Sequence, residues 1–346
     1  MPDQPLVSIV IPVRDAAATI AQCMRGFLEQ DYPRHSLEIL VVDGRSTDST
    51  RDEVRRTAEA HPDATVRLLD NPDRRTPHAL NRGIRESRGE IIIIFGAHSR
   101  PAPDYVSRVV RVLEETGAGA AGGSWEVVGD TPTGKIIAAA RASLIGGALS
   151  RHRYSTVAGP ADTVRFAGYR REVFEKAGLF DPELVRNQDD EFNYRARLAG
   201  FVLYYDPSIR CTYHARSTFG ALWRQLYDYG AWKPRVLQKN PAAFSLQFAI
   251  PPLFVASLLL FAGLGTLWRP LWAALALEAG AYLLLTAGFA AAVAAHRGPS
   301  FFPGVLLAYW IIHFAAGLGT LAGLGRLRAP RQAIPRLEAR EAAHAR

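Results

Sequence analysis

From Pro241 to Gly325 the chain runs for 85 residues with only three formal charges, Arg269, Glu278 and Arg297. A stretch this long and this apolar belongs in a bilayer, behind a soluble domain. Within it Phe248–Trp268, Leu271–Ala295 and Phe301–Gly325 are each 21 to 25 residues long. At roughly 1.5 Å per residue, each can cross a hydrocarbon core of about 30 Å. Trp268, Trp272, Phe301 and Phe302 fall at segment ends, where aromatic rings favour the interface. Pro251 and Pro252 make the first segment the best suited to lie in the interface or re-enter. Glu278 and His313 sit inside the apolar block, which predicts that they pair with each other or, as the alternative, contact a lipid phosphate.

Charge is distributed accordingly. The 41 Lys and Arg exceed the 33 Asp and Glu by eight, of which +3 lies in residues 1–240 and +4 in the last 21 residues. No basic groove suited to nucleic acid follows from this, and the excess sits beside lipid. Cys23 and Cys211 stand apart without a CxxC pair, which predicts reduced, buried thiols. Met1–Pro5 is short and polar, so no signal peptide is expected. The expectation is a multi-pass protein of the cell inner membrane with its N-terminal domain in the cytoplasm.

Residues 6–125 read as alternating strands and helices. Leu6–Ile11, Leu37–Val42, Val66–Leu69 and Glu90–Phe95 are apolar, β-branched-rich runs, and helical spacing lies between them. Helices are predicted over Ala16–Gln30, from Ser46-Thr47-Asp48 to near His61, and from a Thr76 cap with Pro77 at its first position. This is the pattern of a parallel sheet with crossover helices, whose ligands bind at the carboxyl ends of the strands. Those ends are Pro12–Asp15, Asp43–Asp48, Asp70–Arg75 and Gly96–Ser99. No Gly-x-Gly-x-x-Gly follows the first strand, which disfavours a dinucleotide-dependent dehydrogenase. Residues 126–240 are expected to complete the acceptor side of the cleft, with short helices near Arg171–Ala177 and from Asp189 to Ala199. Lys135–Leu149 fits a helix at the bilayer surface and a core helix equally well.

Two features carry chemistry. Asp43 is a carboxylate at the end of the second strand, able to accept hydrogen bonds from a nucleobase N–H or a ribose hydroxyl. Asp189, Asp190 and Glu191 cluster at the start of a helix, whose N-terminus favours negative charge and can hold a base ionised. The same cluster would also serve as a plain acidic cap.

Taken together, Val7-Ser8-Ile9-Val10-Ile11-Pro12, Val41-Val42-Asp43-Gly44-Arg45-Ser46-Thr47-Asp48, Thr76-Pro77-His78-Ala79-Leu80-Asn81-Arg82-Gly83-Ile84, Phe180-Asp181-Pro182 and Asn187-Gln188-Asp189-Asp190-Glu191 make a recognisable set. It resembles family 2 glycosyltransferases of the GT-A fold. The resemblance implies an α/β GT-A mixed sheet with flanking helices, followed by C-terminal α-helical membrane segments. Implied with it are a UDP-sugar donor and an inverting transfer in which Asp189 removes the acceptor proton, with Asp190 and Glu191 next in line. Donor contacts are implied at Pro12, Asp15 and Asp43, with Arg75, Asn81 and Arg216 as further candidates.

The family's metal-binding carboxylate motif reads Gly96-Ala97-His98 here, so His98 is the remaining candidate ligand for Mn2+ or Mg2+. Likewise Gln188 replaces the family's usual Glu. Tyr213-His214-Ala215-Arg216 and Leu222–Lys233 resemble membrane-bound glycosyltransferases of the succinoglycan-biosynthesis type and add Gln225 and Trp232 as candidate contacts. The spacing lacks the Gln-x-x-Arg-Trp element of processive synthases. The expected division is a nucleotide-sugar half over 1–125, an acceptor half over 126–240, membrane segments over 241–325 and a basic tail over 326–346. The expected function is hexose transfer to a lipid-linked saccharide in exopolysaccharide or cell-envelope biosynthesis. The alternative is an impaired homologue serving as a membrane scaffold.

Overall fold

The computed structural model describes residues 4–147, 155–241 and 246–327. Residues 328–346 of the basic tail, and 148–149 of the candidate surface helix, lie outside the described residues. The elements run β1 (Val7–Val13), α1 (Ile20–Leu28), β2 (Leu37–Asp43), α2 (Thr50–Glu59), β3 (Thr65–Asp70), α3 (Thr76–Glu86), β4 (Ile91–Ile94), β5 (Ser99–Pro101), α4 (Tyr105–Thr116) and β6 (Ala120–Val128). They continue with α5 (Pro132–Ala142), α6 (Leu144–Gly147), β7 (Gly159–Pro160), β8 (Gly168–Arg170), α7 (Arg171–Ala177), α8 (Gln188–Leu198) and β9 (Leu203–His214). Four long helices close the chain: α9 (Phe219–Lys239), α10 (Leu246–Gly265), α11 (Pro270–Arg297) and α12 (Phe301–Leu324).

Among the described residues the strands form one sheet in the order β3-β2-β1-β4-β8-β6-β9-β5, with β7 beside β9. β1 through β4 pair in parallel. β8 then runs antiparallel to both β4 and β6, so the sheet is mixed. Alternation along β1 sends Ile9 and Ile11 to one buried cluster and Val10 to another on the opposite face. Helices cover both faces, which is why β1 and β2 read as almost continuous apolar runs. α3 lies directly on β1: a Cβ on Gly83 would stand 2.3 Å from Val10 Cγ1, a distance only glycine permits.

The described residues divide into two compact units. One gathers residues 4–126 and 155–213, the other 127–147, 214–241 and 246–327. The expected linear halves thus interleave, because β8, α7, α8 and most of β9 return to the first sheet.

In the second unit, α10, α11 and α12 contain three stretches long and apolar enough to cross a membrane, Phe248–Gly265, Pro270–Arg297 and Phe301–Leu324. α5 packs on this bundle through Ile137 and Ala140 against Val305 and Tyr309, the core-helix alternative for that segment. Glycines let α9 and α12 approach backbone to backbone. A Cβ on Gly319 would fall 2.2 Å from the Tyr227 carbonyl oxygen, and one on Gly323 2.4 Å from that of Ala231. Small residues at such contacts are how helices pack in lipid. Glu278 and His313 do not pair as expected. Ser257 Oγ donates to Glu278 Oε1 at 2.6 Å, while His313 Nδ1 lies 2.9 Å from the Tyr282 hydroxyl and Nε2 lies 3.0 Å from the Ile145 carbonyl.

Candidate active site

Parallel register brings the first three strand ends level, Val13 opposite Asp43 and Asp43 opposite Asp70. The loops beyond them are strained. Five non-glycine residues have positive φ among the described residues: Asp15 (50°), Arg45 (56°), Arg74 (58°), Phe166 (48°) and Asn187 (57°). Three of them follow β1, β2 and β3 in turn, and the other two flank the acidic helix α8. Such conformations cost of order 1–3 kcal/mol each and persist only where the surroundings over-determine them. Here that over-determination is visible. The Asp15 amide donates to Ser46 Oγ (2.9 Å), the Thr47 amide returns a bond to Asp15 Oδ1 (2.7 Å), and the Ala16 and Ala17 amides reach Thr50 Oγ1 and Asp48 Oδ2. Beyond these bonds residues 17–19 form a turn, and α1 starts at Ile20 rather than Ala16.

Asp43 is fully buried. It accepts from Ser46 Oγ at 2.5 Å and from Arg51 at 3.0 Å. The same guanidinium reaches Asp70 at 2.5 Å and so ties the ends of β2 and β3 together. That hydrogen bond, with the charge behind it, holds the Asp70 carboxyl below the usual carboxylate range. The Thr50 hydroxyl does the same for Asp48. Pro12 is half-buried near the end of β1, and Arg14, Arg45, Arg74 and Arg75 are exposed around the same edge. Arg75, not Thr76, is the cap residue of α3. Asn81 does not face this edge: it is 3% exposed, and both of its amide atoms are bonded to the backbone of Phe180 at 2.8 Å. It is a brace between α3 and the approach to α8.

Beyond β4, His98 Nδ1 stands 3.2 Å from Thr19 Oγ1. Among the described residues no three His, Cys, Asp or Glu side chains gather to hold a cation. One imidazole is the whole contribution of Gly96-Ala97-His98, so the donor set does not fit a cation held by the protein alone. Gly96 has an ordinary φ and open space: a Cβ there would meet nothing nearer than Phe166 Cε1 at 3.9 Å and Ser99 Oγ at 4.0 Å.

Phe166 leads to the acidic helix. Its neighbour Arg165 places Nε 3.8 Å from Asp189 Oδ2 and a terminal nitrogen 3.4 Å from Asp190 Oδ1. The three acidic side chains differ sharply in access: Asp189 is 36% exposed, Asp190 14% and Glu191 1%. Glu191 is bound by Arg195 through both carboxylate oxygens, at 2.6 and 2.8 Å, and Arg195 also reaches the carbonyls of Ala177 and Leu179. It therefore fixes α8 to the end of α7 and has no path to a substrate. Asn193 completes the seat, accepting from the buried Tyr169 hydroxyl (2.8 Å) and donating to Thr163 Oγ1 and the Val164 carbonyl.

Both the sequence and the fold are matched in known proteins. The description "Glycosyl transferase family 2" matches residues 8–178. The succinoglycan biosynthesis protein ExoA of Rhizobium meliloti is 30% identical over 284 residues, covering 80% of this chain and 85% of that protein. The chain belongs to glycosyl transferase family 2. A second relative, a dolichyl N-acetyl-alpha-D-glucosaminyl phosphate 3-beta-D-2,3-diacetamido-2,3-dideoxy-beta-D-glucuronosyltransferase of Methanococcus voltae, is 28% identical over 74% of this chain and 83% of its own length. Among solved structures, the mannosyltransferase PcManGT of Pyrobaculum calidifontis in complex with GDP-Man and Mn2+ superposes with a TM-score of 0.59 and 25% identity, covering 90% of this chain and 87% of that one. The protein is a glycosyltransferase.

Three expected contacts of this family 2 transferase lie in its second unit. Arg216 is half-buried just after β9. Gln225 is buried in α9, its Nε2 3.3 Å from the Tyr229 hydroxyl, and Trp232 is half-buried two turns further on. The residue that sequence reading missed is Arg165. It precedes Asp189 by 24 positions, with no local pattern to mark it.

Proposed function

We propose that this transferase moves a hexose from a UDP-sugar, with inversion, to a lipid-linked saccharide during exopolysaccharide or cell-envelope assembly. The observation that carries the proposal is the accessible Asp189 carboxylate at the N-terminus of α8. It is the one member of the acidic trio both exposed and free of the Glu191–Arg195 bonding. Inversion requires a base that takes the acceptor hydroxyl proton while that oxygen attacks the anomeric carbon opposite the departing diphosphate. In this reading Asp189 takes the proton, and Asp43 and Asp15 order the loops against which the nucleoside rests. Arg14, Arg45, Arg74 and Arg75 balance the charge growing on the leaving diphosphate. No step is assigned to Mn2+ or Mg2+, because Gly96 removes the carboxylate that would anchor either.

A lipid-linked acceptor is supported by the three apolar helices, since an enzyme confined to the bilayer meets a confined acceptor more often. It is supported too by the dolichyl phosphate named in the Methanococcus relative. Nucleotide sugars are cytosolic compounds, so we assign the first unit to the cytoplasmic side of a cell inner membrane. GDP-mannose is the competing donor, favoured by the nucleotide bound to PcManGT. A thermal-shift panel of UDP-hexoses and GDP-mannose tests the choice: a ligand at 100 times its dissociation constant stabilises by about 2.7 kcal/mol. Stabilisation by GDP-mannose alone would overturn the UDP assignment.

A further inference from the structure

Arg165 is the cationic group that bridges the two accessible acids of α8, and the fold goes to some length to put it there. The next residue, Phe166, adopts a left-handed backbone at φ 48°, which side chains other than glycine, Asn and Asp rarely do. Its ring is held between Phe95 (centroids 5.2 Å apart), Trp125 (5.9 Å) and Tyr213 (6.4 Å). Its carbonyl accepts from the hydroxyl of Tyr105. Tyr105 is itself locked, 1% exposed and edge-on to Phe95 at 5.5 Å and Phe27 at 6.3 Å. Burial keeps that hydroxyl protonated far above its ordinary range, so it stays a donor. Ring and carbonyl of residue 166 are thereby both fixed, which anchors the chain where it leaves Arg165.

We infer that Arg165 is a positioning residue for the base, holding Asp189 and Asp190 in a single arrangement through a guanidinium whose own placement is set by the clamped Phe166 backbone. The inference rests on Asp189 being the base. Without a cation between them, two adjacent carboxylates at the start of a helix repel each other and turn outward to water. With Arg165 at 3.8 and 3.4 Å, they share one countercharge and keep a fixed aim. Arg165 is 38% exposed, so its charge also remains open to the acceptor side.

The test uses the full chain in lipid nanodiscs. It follows nucleotide release from whichever of UDP-glucose and GDP-mannose serves as donor, with a prenyl diphosphate-linked hexose as acceptor. Arg165→Ala is expected to lower kcat by about 10- to 100-fold, the range for losing a charge-assisted hydrogen bond, with the donor KM within about twofold. Arg165→Lys should recover most of the loss, and guanidinium ion added to the Ala variant should recover part of it, which a purely architectural residue would not permit. Tyr105→Phe should lower kcat in the same sense and by less. An unchanged kcat in Arg165→Ala overturns the inference, as does a loss that neither Lys nor guanidinium repairs in a variant of normal Tm. Asp189→Asn is measured in parallel: wild-type turnover there removes the base assignment and this inference with it. Inactive Asp189→Asn beside fully active Arg165→Ala removes the inference alone.

Discussion

The two edges of the sheet in the first unit are built by opposite rules. At the amino edge, Glu38 and Ser8 are buried. Ser8 Oγ donates to Glu38 Oε1 at 2.5 Å and receives the Gly89 amide at 2.7 Å, while Arg171 closes over the Ser87 and Gly89 carbonyls. No non-glycine residue there has positive φ. At the carboxyl edge the loops after β1, β2 and β3 each carry one, and the arginines lie open to solvent. Polar groups at one edge are spent closing the backbone. At the other they are spent holding strained loops in place, and the charge left over faces outward. In the proposed reading, the difference separates residues that set stability from residues that would set activity.

Five substitutions can break or sharpen that contrast. Asp189→Asn keeps shape but cannot take a proton, so turnover should fall by roughly 10²–10⁴ with donor binding nearly intact. A rate equal to wild type would pass the role to Asp190. Asp43→Ala should weaken nucleotide binding by about 1–3 kcal/mol in calorimetry, and lower Tm as well, because Ser46 and Arg51 lose their shared acceptor. On the amino edge, Ser8→Ala should cost about 1–3 kcal/mol of stability by leaving Gly89 N–H and Glu38 short of a partner, with donor affinity unchanged. If Ser8→Ala shifted KM instead, the two edges would not be separable.

Gly96→Asp meets no steric bar, and it should enlarge the thermal shift produced by Mn2+ with the nucleotide present. An identical shift in wild type and variant would mean that the strand end does not face the cation. The smallest effect belongs to Asp70. Its carboxyl titrates lower in the folded chain than in the unfolded one, so its contribution is present above the unfolded value and disappears as pH falls through the folded one. Asp70 is largely exposed, so Asp70→Asn should remove at most about a few tenths of a kcal/mol, and only above that acid range. A stability loss persisting at pH 2 would show that the group acts by packing.

How much could be read in advance follows from where each signal lies along the chain. β1 to β4 are apolar runs whose burial on both faces is written locally, and the three helices long and apolar enough to cross a membrane are composition itself. β5, β7 and β8 are only two or three residues long and exist because a neighbouring strand offers its edge, so no local pattern announces them. The loop before α1 is tied to Ser46, Asp48 and Thr50, more than 30 positions away. In the site, the acidic trio was legible as a cluster, but its division of labour was not. Arg195 takes Glu191 out of reach, and Arg165 attaches to the other two across a turn that begins with an unremarkable Arg-Phe. Asn81 looked like a ligand contact because its amide is polar inside a motif, and its real partner stands 99 positions later.

That last bond bears on the order in which the enzyme is assembled. Phe180 follows Asn81 by 99 residues, so their bond waits until the chain has been made well beyond β4. Pairing Val7 with Leu37 spans 30 residues and pairing it with Ile91 spans 84, and all four strands β1 to β4 lie within the first 94 residues, so they can pair while the rest of the chain is still being synthesised. The nascent protein would then hold a finished nucleotide platform before it owns a base.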